Sequence, residues 1–70
     1  MSLQLEYNKS ADAAYLYLKY PVKGGEAKST VQLKPHITLD FDKKGKLLGV
    51  EILDASKVLN KTMLSEAQII

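Results

Sequence analysis

Cysteine and arginine are both absent from this 70-residue chain, and each absence excludes a class of chemistry. Without cysteine there can be no disulfides and no thiolate zinc site. Without arginine there is no planar bidentate fork for phosphates or guanine edges, the donor that nucleic-acid readers favour. All ten cations are lysines, set against eight carboxylates for a net charge of +2. They are spread along the chain, except for Lys43, Lys44 and Lys46, which read as a solubilising hairpin tip. Nucleic acid is therefore an unexpected partner. No apolar run approaches the ~20 residues that span a bilayer. The N-terminus has no charged segment leading into an apolar one. The plain reading is a cytoplasmic protein of prokaryotic size with no membrane partner.

A chain this short buries only about 60% of the surface that its unfolded form exposes. Small domains offset such a thin core with disulfides, a structural metal or self-association. The first is excluded, and one histidine with scattered carboxylates argues against the second. Self-association remains, and the expectation is a homo-oligomer, a twofold dimer in its simplest form.

Period-two alternation dominates what is present. Strands are expected over about 3–8, 13–20, 26–33, 37–42 and 47–53. Leu3, Leu5 and Tyr7 define the first strand, and Asn8 to Asp12 form a turn. Ala14, Leu16 and Leu18 alternate with Tyr15, Tyr17 and Lys19. Gly24 and Gly25 read as a two-residue hairpin turn, which would pair Leu18 with Val31 and Leu16 with Leu33 and set Lys23 beside Glu26. Lys34-Pro35-His36 makes the next loop. The segment from Asp42 to Gly45 turns the last hairpin, with Gly45 left-handed. After Ile52 the period becomes helical, with Asp54 as cap, a helix over about 55–60 and a second helical turn over 62–68 capped by Thr62. The fold class is α+β: a five-stranded antiparallel meander with one face covered by a short C-terminal helical segment.

Few residues invite chemistry. His36 follows a proline at a hairpin tip with no nucleophile beside it, and reads as a solvated turn residue. Asp40 and Glu51 point to the outer face of adjacent strands. With Asp42 they could form a cation-binding or hydrolytic set, although lysines stand where a calcium loop needs oxygen ligands, and antiparallel sheets commonly solvate one face. Tyr15 and Tyr17 stand together on the outer face. They suit a protein interface, plain strand propensity or, less well, stacked bases. Gly49 lies within a strand, where glycine signals close approach by backbone or a large side chain. No catalytic residue, metal ligand or cofactor motif is expected. Tyr15, Tyr17 and Gly49 are the candidate interface.

Two segments resemble a known family. The run Tyr7-Asn8-Lys9-Ser10-Ala11-Asp12-Ala13-Ala14-Tyr15-Leu16 is similar to the opening Y-D-x-x-A-D-A-x-Y-I of proteins grouped as domain of unknown function 2283. Residues 40–56, from Asp40 to Ser56, resemble the second block, D-x-D-x-x-G-x-x-x-G-I-E-I-L-x-A-S. Asn8 departs from the usual aspartate. The resemblance implies a small prokaryotic β-domain with a terminal helix and no established activity. It also implies, by gene neighbourhood, an antitoxin-like or other partner-binding subunit of a two-protein system. The function expected is a non-enzymatic interaction domain that self-associates.

Overall fold

The computed structural model describes residues 3–70. Along the chain lie β1 (Gln4–Asn8), β2 (Ala13–Tyr17), β3 (Ser29–Lys34), β4 (Ile37–Phe41), β5 (Leu47–Leu53), α1 (Ala55–Val58), α2 (Lys61–Glu66) and β6 (Gln68–Ile69). The strands form one open six-stranded sheet in the order β3-β4-β5-β2-β1-β6. The first five pair antiparallel, and β6 lies parallel to β1.

The expected five-stranded meander is therefore corrected. β2 pairs with β5, not β3, setting Ala14 opposite Ile52 and Leu16 opposite Val50. Pro21 has no N–H to continue a ladder, and the Leu18 and Lys19 amides both turn to the Leu48 carbonyl, at 2.9 and 3.3 Å. Gly24 and Gly25 form no hairpin between strands. They turn the loop that carries the chain from β2 to the sheet edge at β3, with Gly25 at φ +78°. Glu26 forms an ion pair with Lys19, while Lys23 contributes its backbone N–H to Glu26 at 3.0 Å. In the β4–β5 hairpin Leu39 lies opposite Val50, on the same face as expected, until a bulge sets Phe41 opposite Leu47. Gly45 sits at φ +79° in its turn. The β3–β4 loop closes with a bulge that sets Lys34 opposite Ile37.

The helical segment also differs in its caps. Asp54 precedes α1 in a left-handed conformation and its side chain makes no cap hydrogen bond. Asn60, not Thr62, caps α2, its Oδ1 accepting from the Met63 N–H at 3.0 Å. Gln68, expected to end the second helical turn, instead begins β6 at the sheet edge.

Side chains of directly opposed residues share a face. One face carries the row Leu5, Leu16, Val50, Leu39, Val31 and the row Tyr7, Ala14, Ile52, Ile37. The helices and the residues that end them seat Ala55, Leu59, Leu64 and Ala67 on Tyr7, Ala14, Ile52, Leu5 and Val50. This cover reaches β1, β2 and β5 and stops. On β3, Val31 is 49% and Leu33 60% exposed, although Val31 lies in register with core residues. No helix among the described residues is long and apolar enough to cross a membrane.

Candidate functional site

The outer face is built from two rows. Glu6, Tyr15, Glu51, Thr38 and Gln32 form one, and Gln4, Tyr17, Gly49, Asp40 and Thr30 the other. Tyr15 and Tyr17 stand with ring centroids 4.6 Å apart, and Tyr17 meets Tyr20 edge-on at 5.0 Å. The Tyr15 hydroxyl donates to Asp40 Oδ2 at 2.7 Å, and Thr30 Oγ1 donates to Oδ1 at 3.1 Å. A Cβ on Gly49 would clash with Tyr15 Cε1 and stand 2.7 Å from the Leu16 carbonyl oxygen. Gly49 is thus the seat of Tyr15 within the chain. Burial, then the Asp40 hydrogen bond, raises the Tyr15 phenol above its ordinary value. Burial and Glu6 raise that of Tyr17. Tyr15 has an internal role, whereas the exposed Tyr20 extends the aromatic strip toward solvent.

Asp40, Asp42 and Glu51 have different environments. Asp40 holds Tyr15 and Thr30. Asp42 Oδ1 accepts from the Lys44 and Lys46 amides at 2.8 and 2.9 Å, fixing the turn. These bonds, that to Lys46 foremost, lower its carboxyl pKa. Glu51 is exposed between Tyr15 and Thr38. Among the described residues no three of His, Asp and Glu gather as a metal ligand set. A cleft of about 240 Å³ runs beside Glu6, Tyr15, Tyr17, Glu51 and Ile70.

Asp12, expected only as an outer carboxylate in the first turn, has a larger role. This residue is left-handed at φ +50°. Its carboxylate accepts from the Tyr7 hydroxyl at 2.8 Å, the Ser56 N–H at 2.9 Å and Ser56 Oγ at 2.7 Å. Its carbonyl accepts from the Ala55 N–H at 2.9 Å. Asp12 thereby caps α1 from another part of the chain, the role expected of Asp54. The Ser56 hydroxyl, then Tyr7, lowers the Asp12 carboxyl pKa, and Tyr7 is raised in return. The signal was present as two short polar motifs, but only the fold brings them together. His36 was expected as a solvated turn residue. Its Nδ1 lies 3.1 Å from Asp54 Oδ2, both side chains about half exposed.

Asp12 and Ser56, from opposite ends of one compact arrangement, fall within residues 4–56, which match the protein family described as of unknown function (DUF2283). The chain belongs to the DUF2283 family. It is 35% identical over 60 residues to the uncharacterised protein MJ0789 of Methanocaldococcus jannaschii, an alignment covering 86% of this chain and 47% of that one. The chain thus spans about half the length of this curated relative. No solved structure matches it. Asn8, the departure from the DUF2283 pattern, still organises its turn: Oδ1 accepts from Ser10 Oγ at 2.8 Å and the Ala11 N–H at 3.2 Å.

Proposed function

We propose that this DUF2283 chain is a non-enzymatic interaction domain that self-associates through the half of its apolar face left uncovered by the helices. One observation carries the reading: Val31 and Leu33 are 49% and 60% exposed on the side of the sheet that elsewhere forms the core. With half-buried Ile37, Leu39 and Phe41 they make an apolar surface bordered by Lys34, which lies opposite Ile37, while Asp40 of β4 belongs to the other face. Covering it with a second copy removes that surface from water, the main favourable term in association. The outer face suits a twin less well, because packing it on itself would desolvate Asp40, Glu51 and Glu6 against their own kind. The non-enzymatic part is supported by the carboxylates, since Asp12, Asp40 and Asp42 are each held in structural hydrogen bonds.

Sedimentation equilibrium tests the proposal. The expected result at micromolar concentration is twice the 7.8 kDa chain mass. Val31→Lys with Leu33→Lys should give a monomer that keeps its circular dichroism, whereas Tyr17→Lys should remain dimeric. A monomer across the micromolar range for the unmodified chain refutes self-association.

A further inference from the structure

The edge of the sheet at β3 differs in chemistry from the face beside it. All six residues of β3 are exposed, and among the described residues no further strand lies beyond it. An edge strand presents a row of unpaired N–H and C=O groups, a template for another extended chain. Lys28 immediately precedes this strand and Lys34 ends it, about 20 Å apart at the usual rise per residue. A cavity of about 380 Å³ opens at the Lys28 end, lined by Lys28, Lys43, Lys44, Glu26 and Asp42 among others. Its two carboxylates are committed elsewhere, Glu26 to Lys19 and the Lys23 amide, Asp42 to the amides of Lys44 and Lys46. Among the described residues the ion pairs are Lys19 with Glu26 and His36 with Asp54. The ammonium groups of Lys28, Lys43 and Lys44 are thus left without an anionic partner at the mouth of a cavity.

We infer that β3 accepts an extended peptide segment as a further antiparallel strand, with carboxylates at the segment's C-terminal end placed in the Lys28–Lys43–Lys44 cavity. The direction follows from geometry, since a strand antiparallel to β3 begins opposite Lys34 and ends opposite Lys28. Main-chain hydrogen bonds would supply the pairing, and alternate side chains the selectivity. Apolar residues opposite Val31 and Leu33 would lie on the core side. A second copy of β3 is the wrong occupant of this edge: twofold antiparallel pairing centred on Val31 sets Lys28 of each copy against Lys34 of the other, and like charges directly opposite are unfavourable. The inference rests on the interaction-domain reading but not on self-association, which uses the face of β3 and β4 and leaves the edge free.

The probe is a fluorescent eight-residue peptide that alternates threonine and valine and ends in two glutamates, titrated with the full chain in low salt and followed by anisotropy. Saturable binding is expected, weakened at least tenfold when lysines replace the two glutamates. Lys28→Glu with Lys44→Glu should reverse this preference, an outcome that a merely unfolded variant cannot give. N-methylation of alternate peptide amides, which leaves protein and charge untouched, should abolish binding. Absence of binding at millimolar peptide overturns the inference. So does undiminished binding of the N-methylated peptide, which would make the lysines a general anion patch that only keeps the edge soluble. Sedimentation of the chain alone decides self-association separately, so the two readings fail independently.

Discussion

Adding one methyl group at position 49 should test how the outer face is assembled. In Gly49→Ala the new carbon would collide with Tyr15 Cε1 and lie 2.7 Å from both the Tyr15 hydroxyl oxygen and the Leu16 carbonyl oxygen. The carbonyl belongs to the adjacent strand and yields little, so the ring must swing away. Overfilling a packed site costs about 1–3 kcal/mol. Displacing the ring also breaks the 2.7 Å hydrogen bond to Asp40, a net loss of about 1 kcal/mol. Against these stands a gain of about 0.5–1 kcal/mol, because glycine within a strand is itself less stable than alanine. The sum is a destabilisation of about 1–3 kcal/mol. At ~4–8 °C per kcal/mol for a domain this small, Tm should fall by about 5–25 °C. Thermal unfolding by circular dichroism measures the shift, and a second background identifies its cause. In Tyr15→Ala the ring is gone, so Gly49→Ala should cost at least ~1 kcal/mol less than in the parent, the coupling expected of residues in contact. A Gly49→Ala protein that melts with the parent, or a cost unchanged by removing Tyr15, would refute the seat.

Gly45→Val should cost about 1–2 kcal/mol, read from the denaturation midpoint, because its left-handed conformation crowds a Cβ against the following carbonyl. The depressed Asp12 carboxyl contributes stability that is full above the ordinary carboxylate pKa of 3.8 and lost as pH falls through the lower folded value. Asp12→Asn should therefore lower the neutral-pH midpoint and flatten the acid limb, which stability measurements from pH 2 to pH 7 would show. The raised phenols of Tyr15 and Tyr17 act in the opposite sense. Their contribution is full below the ordinary value near 10 and fades as pH rises through the higher folded values. Millimolar magnesium, calcium or manganese should leave Tm unchanged, whereas a site filled to 100 times its Kd would add ~2.7 kcal/mol. A metal-dependent rise that vanishes in Asp40→Asn would reinstate the cation-binding alternative.

Alternation assigned residues to faces better than it assigned strands to neighbours. Leu16 and Leu18 were expected opposite Leu33 and Val31, and the face of Leu16 is as expected, yet its partner is Val50. Any pairing that matches apolar faces satisfies the parity argument, so parity cannot choose between a hairpin and a long-range contact. Two residues bear on that choice: Pro21, which has no N–H to offer a β2–β3 ladder, and Gly49, whose bare Cα admits Tyr15 from the strand alongside. Both were visible as residues, but their consequence required knowing that β2 lies beside β5. The short β6 was hidden for another reason: two residues are too few to show a period, and pairing with β1 supplies what local propensity does not. The Asp12 latch was illegible because two of its three donors lie 44 residues away at Ser56.

The DUF2283 pattern itself can be resolved into these structural contacts, and that bears on where function resides. Tyr7, Asp12 and Ser56 lock the β1–β2 turn to the start of α1. Tyr15, Asp40 and Gly49 make the outer-face seat. Asp42 and Gly45 form the last hairpin turn, joined by the Gly45 N–H donating to the Asp42 carbonyl at 3.0 Å. Ala55 is fully buried and Ile52 nearly so. Each of these residues holds the domain together, so the pattern specifies a scaffold, and a scaffold pattern by itself names no chemistry. The segment between the two quoted blocks, residues 17–39, contains the whole of β3 with Val31 and Leu33, together with Lys28 and Lys34. That segment is where exposed apolar side chains, a free strand edge and unpaired cations coincide. Apart from Tyr17, which meets the Tyr15 ring, and Thr30, which donates to Asp40, the segment can change without touching the latch or the tyrosine seat, as the interaction role proposed above requires. Exchanging residues 28–34 for those of another DUF2283 member should therefore leave Tm within about 5 °C of the parent, an effect of roughly 1 kcal/mol or less, while transferring that member's peptide preference. Global unfolding of such a chimera would show that the edge strand is as much part of the scaffold as the latch, and would defeat this division of labour.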